Sequence, residues 1–175
     1  MDTGLIHIYC GDGKGKTTAA LGLSLRCAGR GGRVLFAQFL KSRPTGELMA
    51  LQQLPQVTLL RGTGLKKFTF QMNPQELFQT RQEQQALLEK ITAYCQKERP
   101  DLAVCDELIG ACSLGLVPEE KVLALMKEKP EKTELVLTGR NPGAKLLELA
   151  DYVSEIKKVK HPYDRGIPAR AGIEM

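Results

Sequence analysis

At 175 residues the chain can bury one core but is too short for two comfortable domains. Its 42% hydrophobic and 26% charged residues are ordinary for a soluble globular protein, and no apolar run is long enough to span a membrane. The net charge of +5 suits an anionic ligand and suits nucleic acid equally well.

The start, Met1-Asp2-Thr3-Gly4, has no basic stretch followed by an apolar one, so no secretory signal is visible and a cytoplasmic location is expected. Five cysteines (Cys10, Cys27, Cys95, Cys105, Cys112) form an odd set with no CxxC pair. Buried reduced thiols are expected rather than a zinc site or a disulfide framework. Lys157, Lys158 and Lys160 form a local basic cluster that reads as solvated surface.

Short apolar runs alternate with helical patterns along the chain. That predicts an α/β fold in a single domain over residues 1–175: a mostly parallel sheet of about six strands with helices on both faces. The first strand is expected over Leu5 to Cys10 and a helix over Lys16 to Gly29, where Leu21, Leu25 and Ala28 recur at helical spacing. A second strand covers Arg33 to Phe39, and Lys41 to Glu47, with Pro44 and Gly46, reads as a loop. Val57 to Arg61 is a third strand, broken by Gly62-Thr63-Gly64.

The longest helix is expected from Gln75 to Lys97, with Leu87, Leu88, Ile91, Tyr94 and Cys95 on its buried face and a glutamine-rich first half toward water. Leu102 to Asp106 is a fourth strand, and Pro118 with Glu119 and Glu120 opens another helix. Glu134 to Thr138 is a fifth strand, Asn141-Pro142 caps a helix to Ala150, and Tyr152 to Ile156 offers a sixth strand.

The strongest chemical signal is Gly11-Asp12-Gly13-Lys14-Gly15-Lys16-Thr17-Thr18, set between a predicted strand and a predicted helix. Glycines there let successive backbone N–H groups turn inward as an anion nest at a helix N-terminus. Lys16 can then reach phosphates as a point charge, and the Thr17 hydroxyl can ligate Mg²⁺. The usual first glycine is replaced by Cys10. A glycine-rich loop with no ligand is the competing reading.

The second signal is Leu102-Ala103-Val104-Cys105-Asp106-Glu107, an apolar strand ending in two carboxylates. This matches the Walker B pattern, in which an acid meets the metal across from the phosphate loop. Alone, the pair fits a helix cap as well; beside Lys16 and Thr17 it points to Mg-nucleotide binding. Residue chemistry reaches no further, and a small-molecule kinase or a RecA-like nucleic-acid-binding ATPase fits it too. With 5% aromatics and no tryptophan, the sequence offers the second of these little stacking surface.

The loop Gly11 to Ala20 resembles that of the P-loop type of ATP:corrinoid adenosyltransferase, a family that shares the Gly-Lys-Gly-Lys-Thr-Thr-Ala run and also lacks the usual first glycine. Further similarities run in order: Gln38-Phe39-Leu40-Lys41, Gly46-Glu47, Asp106-Glu107-Leu108, Thr138-Gly139-Arg140, and the tail Lys160-His161-Pro162-Tyr163-Asp164-Arg165-Gly166 with Ala169 and Gly172-Ile173-Glu174.

The resemblance implies a homodimeric enzyme with a RecA-like P-loop fold, ATP held in the reverse sense to most P-loop proteins, and a corrinoid as acceptor. Co(I) attacks the ribose C5′ and the whole triphosphate leaves. It implies Gly11 to Thr18 as the ATP loop, Lys16, Thr17 and Glu107 as catalytic, and Thr17, Glu107 and Asp106 around Mg²⁺. A flavin-type or other reductase would supply electrons, with no membrane or nucleic acid involved. Where many members carry Phe-Thr-Trp toward the corrin, this chain has Phe68-Thr69-Phe70 after an apparent insertion, Lys66-Lys67. Phe68 and Phe70 are therefore candidate corrinoid contacts or, alternatively, core residues of a strand. Arg140 is open between a phosphate contact and a surface arginine, and His161 reads as a turn residue.

Overall fold

A computed structural model describes residues 3–41, 45–65 and 67–174. Pro44 and Lys66, of the expected loop and insertion, lie outside the described residues. The elements are β1 (Ile6–Cys10), α1 (Lys16–Gly29), β2 (Val34–Gln38), α2 (Gly46–Gln52), β3 (Val57–Arg61), α3 (Pro74–Glu98), β4 (Leu102–Asp106), α4 (Leu108–Ser113), α5 (Glu119–Glu128), β5 (Glu134–Thr138), α6 (Ala144–Leu149) and β6 (Tyr152–Glu155). Two 3-10 turns cover Thr69–Gln71 and Pro162–Arg165.

The six strands form one sheet in the order β3-β2-β4-β5-β1-β6, and every pairing is parallel. Parallel strands need crossovers, and the helices between them supply these. Because side chains alternate across a strand, each central strand feeds two cores. On one face Ile6, Ile8, Leu35, Ala37, Ala103, Leu135 and Leu137 pack with Leu88 and Ile91 of α3, Ile109 of α4, Leu125 of α5 and Leu146 of α6. On the other, Val34, Phe36, Leu102, Val104 and Val136 pack with Ala20 and Ala28 of α1 and Leu51 of α2. Helices thus cover both faces, consistent with a RecA-like P-loop fold.

Several local expectations need correction. The segment read as loop up to Glu47 already enters α2 at Gly46, and α4 follows β4 directly where no helix was predicted. Pro118 is the residue before α5 rather than inside its first turn. The last helix starts at Ala144 after Gly143, because Asn141 takes a left-handed φ of 53° and cannot begin it. The glutamine-rich half of α3 is not all solvated, since Gln84 is fully buried. Otherwise α3 forms as its sequence directs: Asn73 Oδ1 accepts from Glu76 N–H, Glu76 Oε2 accepts from Asn73 N–H, and Pro74 sits at the first position.

All five cysteines are free, with Cys10, Cys95 and Cys105 buried and the other two half-buried. Apart from a half-buried Ile156, residues 151–160 are exposed, as the basic cluster there suggested. No helix among the described residues is long and apolar enough to cross a membrane.

Candidate functional site

The loop between β1 and α1 is shaped by a close backbone approach. A Cβ on Gly13 would stand 2.7 Å from the Ile156 carbonyl oxygen, and one on Gly11, at φ 102°, would meet the same oxygen closer still. Only glycine fits there. In return Gly13 N–H donates to Ile156 O at 2.8 Å, Ile156 N–H donates to Cys10 O at 2.8 Å, and Lys158 N–H donates to Asp12 Oδ1 at 3.0 Å. That last bond holds the Asp12 carboxyl below the usual range. The chain leaving β6 therefore braces the loop from behind.

Gly15 precedes α1 with φ 128° and offers no side-chain cap, and the first turn holds no acid. The N–H groups of that turn stay available to an anion. Lys16 is buried and folds back, its Nζ donating to the Gly11 and Gly13 carbonyls at 2.8 Å each. Burial pushes its pKa below the usual lysine value, an effect that Glu107 opposes and Arg140 reinforces.

Opposite the loop, the parallel register aligns Gln38 of β2 with Asp106 at the end of β4. Asp106 is fully buried. Its Oδ1 accepts from Thr17 Oγ1 at 2.9 Å and Thr138 Oγ1 at 2.7 Å, and its Oδ2 lies 2.8 Å from Lys41 Nζ. Lys41 also donates to Thr17 Oγ1 at 3.3 Å and lies 3.7 Å from Glu47 Oε1, which accepts from Gln38 Nε2 at 3.2 Å. Glu107 follows with φ 62°, a strained conformation for a non-glycine residue, and its N–H donates to Thr138 Oγ1 at 2.9 Å. Burial raises the Glu107 carboxyl above its ordinary range, and the neighbouring Asp106 charge raises it further. Although it precedes α4, Glu107 makes no side-chain cap bond, so the helix-cap alternative fails.

These groups meet at a cleft of about 480 Å³. Of the residues singled out in the sequence, Asp12, Gly13, Lys14, Gly15, Lys16, Thr17, Thr18, Glu107 and Arg140 line it. Gly11 lies behind the loop as an acceptor for Lys16, and Asp106 lies beneath Thr17 rather than on the wall. Arg140 is exposed and borders the cleft, which admits either of its two readings.

Phe68 and Phe70 do not join this cleft. They are 67% and 81% exposed around the 3-10 turn and stack on each other with ring centroids 5.4 Å apart. The alternative of two core phenylalanines on a strand is therefore wrong: no strand forms here, and the rings face water.

The cleft also contains residues the sequence reading did not single out as functional. Lys41 and Glu47 complete the polar floor, while His161, Gly172, Ile173 and Glu174 of the tail line the wall. His161, read as a turn residue, does precede the second 3-10 turn, its Nδ1 accepting from Tyr163 N–H at 3.2 Å. Arg170 binds Glu174 through its guanidinium and its backbone N–H, holding the Glu174 carboxyl down at about 2. The runs Gln38 to Lys41 and Gly172 to Glu174 were visible as points of resemblance, and that was the available signal.

The sequence matches the family model described as ATP:corrinoid adenosyltransferase BtuR/CobO/CobP over residues 2–175. It is 33% identical over 178 residues to the corrinoid adenosyltransferase of Escherichia coli strain K12, an alignment covering 99% of this chain and 86% of that protein. Against the corrinoid adenosyltransferase CobA of Salmonella typhimurium strain LT2 the identity is 32% over 178 residues, with the same coverages. The corrinoid adenosyltransferase of Pseudomonas aeruginosa strain PAO1 is 33% identical over 180 residues, covering 99% of this chain and 85% of the relative.

Proposed function

The chain belongs to the ATP:corrinoid adenosyltransferase family, and from that premise we propose how its cleft carries out the transfer. The protein is an adenosyltransferase that moves the 5′-deoxyadenosyl group of ATP to Co(I) of a corrinoid, in cobalamin biosynthesis or corrinoid salvage. Cobalt supplies the electron pair for the new Co–C5′ bond; the C5′–O5′ bond breaks, and triphosphate leaves with its electrons. No protein nucleophile and no general base are needed. The chain's task is to position ATP and to stabilise negative charge on the leaving group.

The observation that carries this reading is the buried Lys16 ammonium, set in a loop whose adjoining helix leaves its first-turn N–H groups uncapped. On ATP binding, Lys16 exchanges the two carbonyls it now holds for phosphate oxygens, and the loop amides take the rest. Thr17 and Glu107 are oxygen donors lining the same cleft, a donor set that suits a hard divalent cation. Bound there, Mg²⁺ supplies Lewis-acid neutralisation of the triphosphate. Asp106, whose Oδ1 accepts from Thr17 and Thr138 and whose Oδ2 is ion-paired with Lys41, orients the Thr17 hydroxyl from below and would stand behind the ion. Arg140 extends the positive wall. The test is to mix the protein, MgATP and a chemically reduced corrinoid and follow the visible spectrum; a light-sensitive Co–C bond is expected, and none would form if the cleft served another reaction.

Thr17→Val removes the metal-ligating hydroxyl with little change of shape, so its loss of turnover is expected to be partly relieved by raised Mg²⁺. Glu107→Gln, a poorer ligand for a hard cation, should respond in the same direction. Variants whose Mg²⁺ dependence matches the parent's would remove both residues from the metal site.

Phe68 and Phe70 present an exposed aromatic pair suited to an apolar corrin face, where it would exclude the lower axial ligand of Co(II) and ease reduction to Co(I). At 81% exposure, Phe70→Ala should change folding stability by no more than about 0.5 kcal/mol. It should lower the fraction of bound Co(II) corrinoid that is four-coordinate, read by electron paramagnetic resonance, and most of the lost rate should return with pre-reduced Co(I). A variant as slow with Co(I) as with Co(II) would place Phe70 in the transfer step instead.

The family resemblance also supports a homodimer and a flavin-type or other reductase as electron donor. A reducing cytoplasmic setting fits the five free cysteines.

A further inference from the structure

β2 ends at Gln38, and two residues later Leu40 takes φ 59°, a left-handed conformation rarely adopted by a branched side chain. The strained turn is held from three sides. Leu40 N–H donates to Oε1 of the fully buried Gln84 at 3.2 Å, Leu40 O accepts from Leu65 N–H at 2.9 Å, and Arg61 Nη2 donates to Lys41 O at 3.0 Å. The turn sends the Lys41 side chain back into the cleft. Its ammonium stands 2.8 Å from Asp106 Oδ2, 3.3 Å from Thr17 Oγ1 and 3.7 Å from Glu47 Oε1.

A cation therefore already occupies the surroundings of the hydroxyl assigned above to Mg²⁺. The Thr17 hydrogen is given to Asp106, so its lone pairs are what Lys41 and a metal would share. A divalent ion on Thr17 Oγ1 at the usual Mg–O distance of about 2.0–2.1 Å would lie within roughly 5 Å of the ammonium if Lys41 stayed in place. Two cations that close, in a cleft partly shielded from water, repel strongly. Removing the ammonium would leave Asp106, beneath the hydroxyl, and Glu107 and Glu47, on the same cleft, with much less positive charge between them.

We propose that Lys41 is a built-in surrogate for the divalent cation: it neutralises the cleft carboxylates in the nucleotide-free protein, keeps free divalent ions out, and withdraws from Thr17 when a nucleotide brings its ion in. This rests on the Mg²⁺ reading of Thr17 and Glu107. Glu47, already 3.7 Å away, and the incoming triphosphate are the partners to which the ammonium moves, and the lysine stem is flexible enough to do so without a backbone change. The consequence is ordered loading, in which the ion enters with the nucleotide and not before it.

Mn²⁺ titrated into nucleotide-free protein and followed by electron paramagnetic resonance tests this without any turnover. The parent should bind Mn²⁺ weakly, Lys41→Met should bind it about tenfold or more tightly, and Lys41→Arg, which keeps the charge, should resemble the parent. Mn²⁺ should likewise raise the melting temperature of Lys41→Met and leave the parent's unchanged. If Lys41→Met does not fold, Lys41→Gln removes the charge while keeping a polar group and must show the same gain. With ATP present, the parent should hold Mn²⁺ and lose it on Thr17→Val. Charge-removing variants that bind Mn²⁺ no better than the parent, while the ATP-dependent site is intact, would overturn the surrogate role and leave the Mg²⁺ reading standing. No Thr17-sensitive Mn²⁺ binding even with ATP would overturn both.

Discussion

Lys16→Ala is expected to slow adenosyl transfer by about 10²–10³-fold at saturating ATP, or roughly 2.7–4 kcal/mol of lost charge stabilisation on the leaving triphosphate. Lys16 is buried, and its ammonium is held 2.8 Å from two loop carbonyls. Burial already weakens its hold on the proton, so the group is desolvated before ATP arrives and little solvent has to be reorganised when the C5′–O5′ bond breaks. Charge on the bridging phosphate grows along the reaction, so the loss should appear in kcat as well as in the affinity for ATP. The fold should survive, because the side chain contacts the loop and not either hydrophobic core. Unchanged turnover at saturating ATP would remove this loop from catalysis.

Asp106→Ala should instead strike stability. Asp106 is 0% exposed and joins β4 to α1, β5 and the turn after β2 through Thr17, Thr138 and Lys41. Removing one member of a buried ion pair commonly costs about 3–5 kcal/mol, because the other charge is left without its partner. Lys41 retains 26% side-chain exposure and can turn toward water or Glu47, which puts the expected loss near the lower end, about 3 kcal/mol. For a chain of this size that is a fall of roughly 6–12 °C in melting temperature. Asp106→Asn keeps an acceptor for the two threonines and should fall less. Thermal or urea unfolding reads both. A melting temperature unchanged in Asp106→Ala would show that the carboxylate is not the joint the geometry makes it.

What the sequence disclosed and what it hid follow from range. The phosphate loop was legible because its chemistry is local: glycines, lysine and threonine within eight residues, framed by a strand and by a helix whose observed limits match those expected. The strands were legible because short apolar runs between turn residues have few other uses in a parallel sheet. The helices α2 and α4, of seven and six residues, are too short for a helical period to show.

Gln84 was misplaced because polarity suggests solvent, whereas its carbonyl oxygen serves the Leu40 N–H across the fold. Lys41 stood within a run of resemblance, but its role was hidden for the same reason. It matters through Asp106 and Thr17, and a single surface-type residue gives no local sign that parallel pairing will set it over a distant carboxylate. The tail residues at the cleft were visible only through resemblance, since nothing in their composition points back to a loop near the other end of the chain. The exposure of Phe68 and Phe70 depends on whether a strand forms at Thr69, and the 3-10 turn there decided against one.

The central claim is that the cleft holds ATP so that its whole triphosphate is the leaving group. Phosphorus-31 nuclear magnetic resonance of a completed reaction with MgATP and Co(I) corrinoid measures this directly. One equivalent of inorganic triphosphate per adenosylated corrinoid, with no ADP, is the result predicted here. ADP as the phosphorus product, in step with consumed ATP, would contradict it and return the loop, Lys16 and Glu107 to a phosphoryl-transfer role.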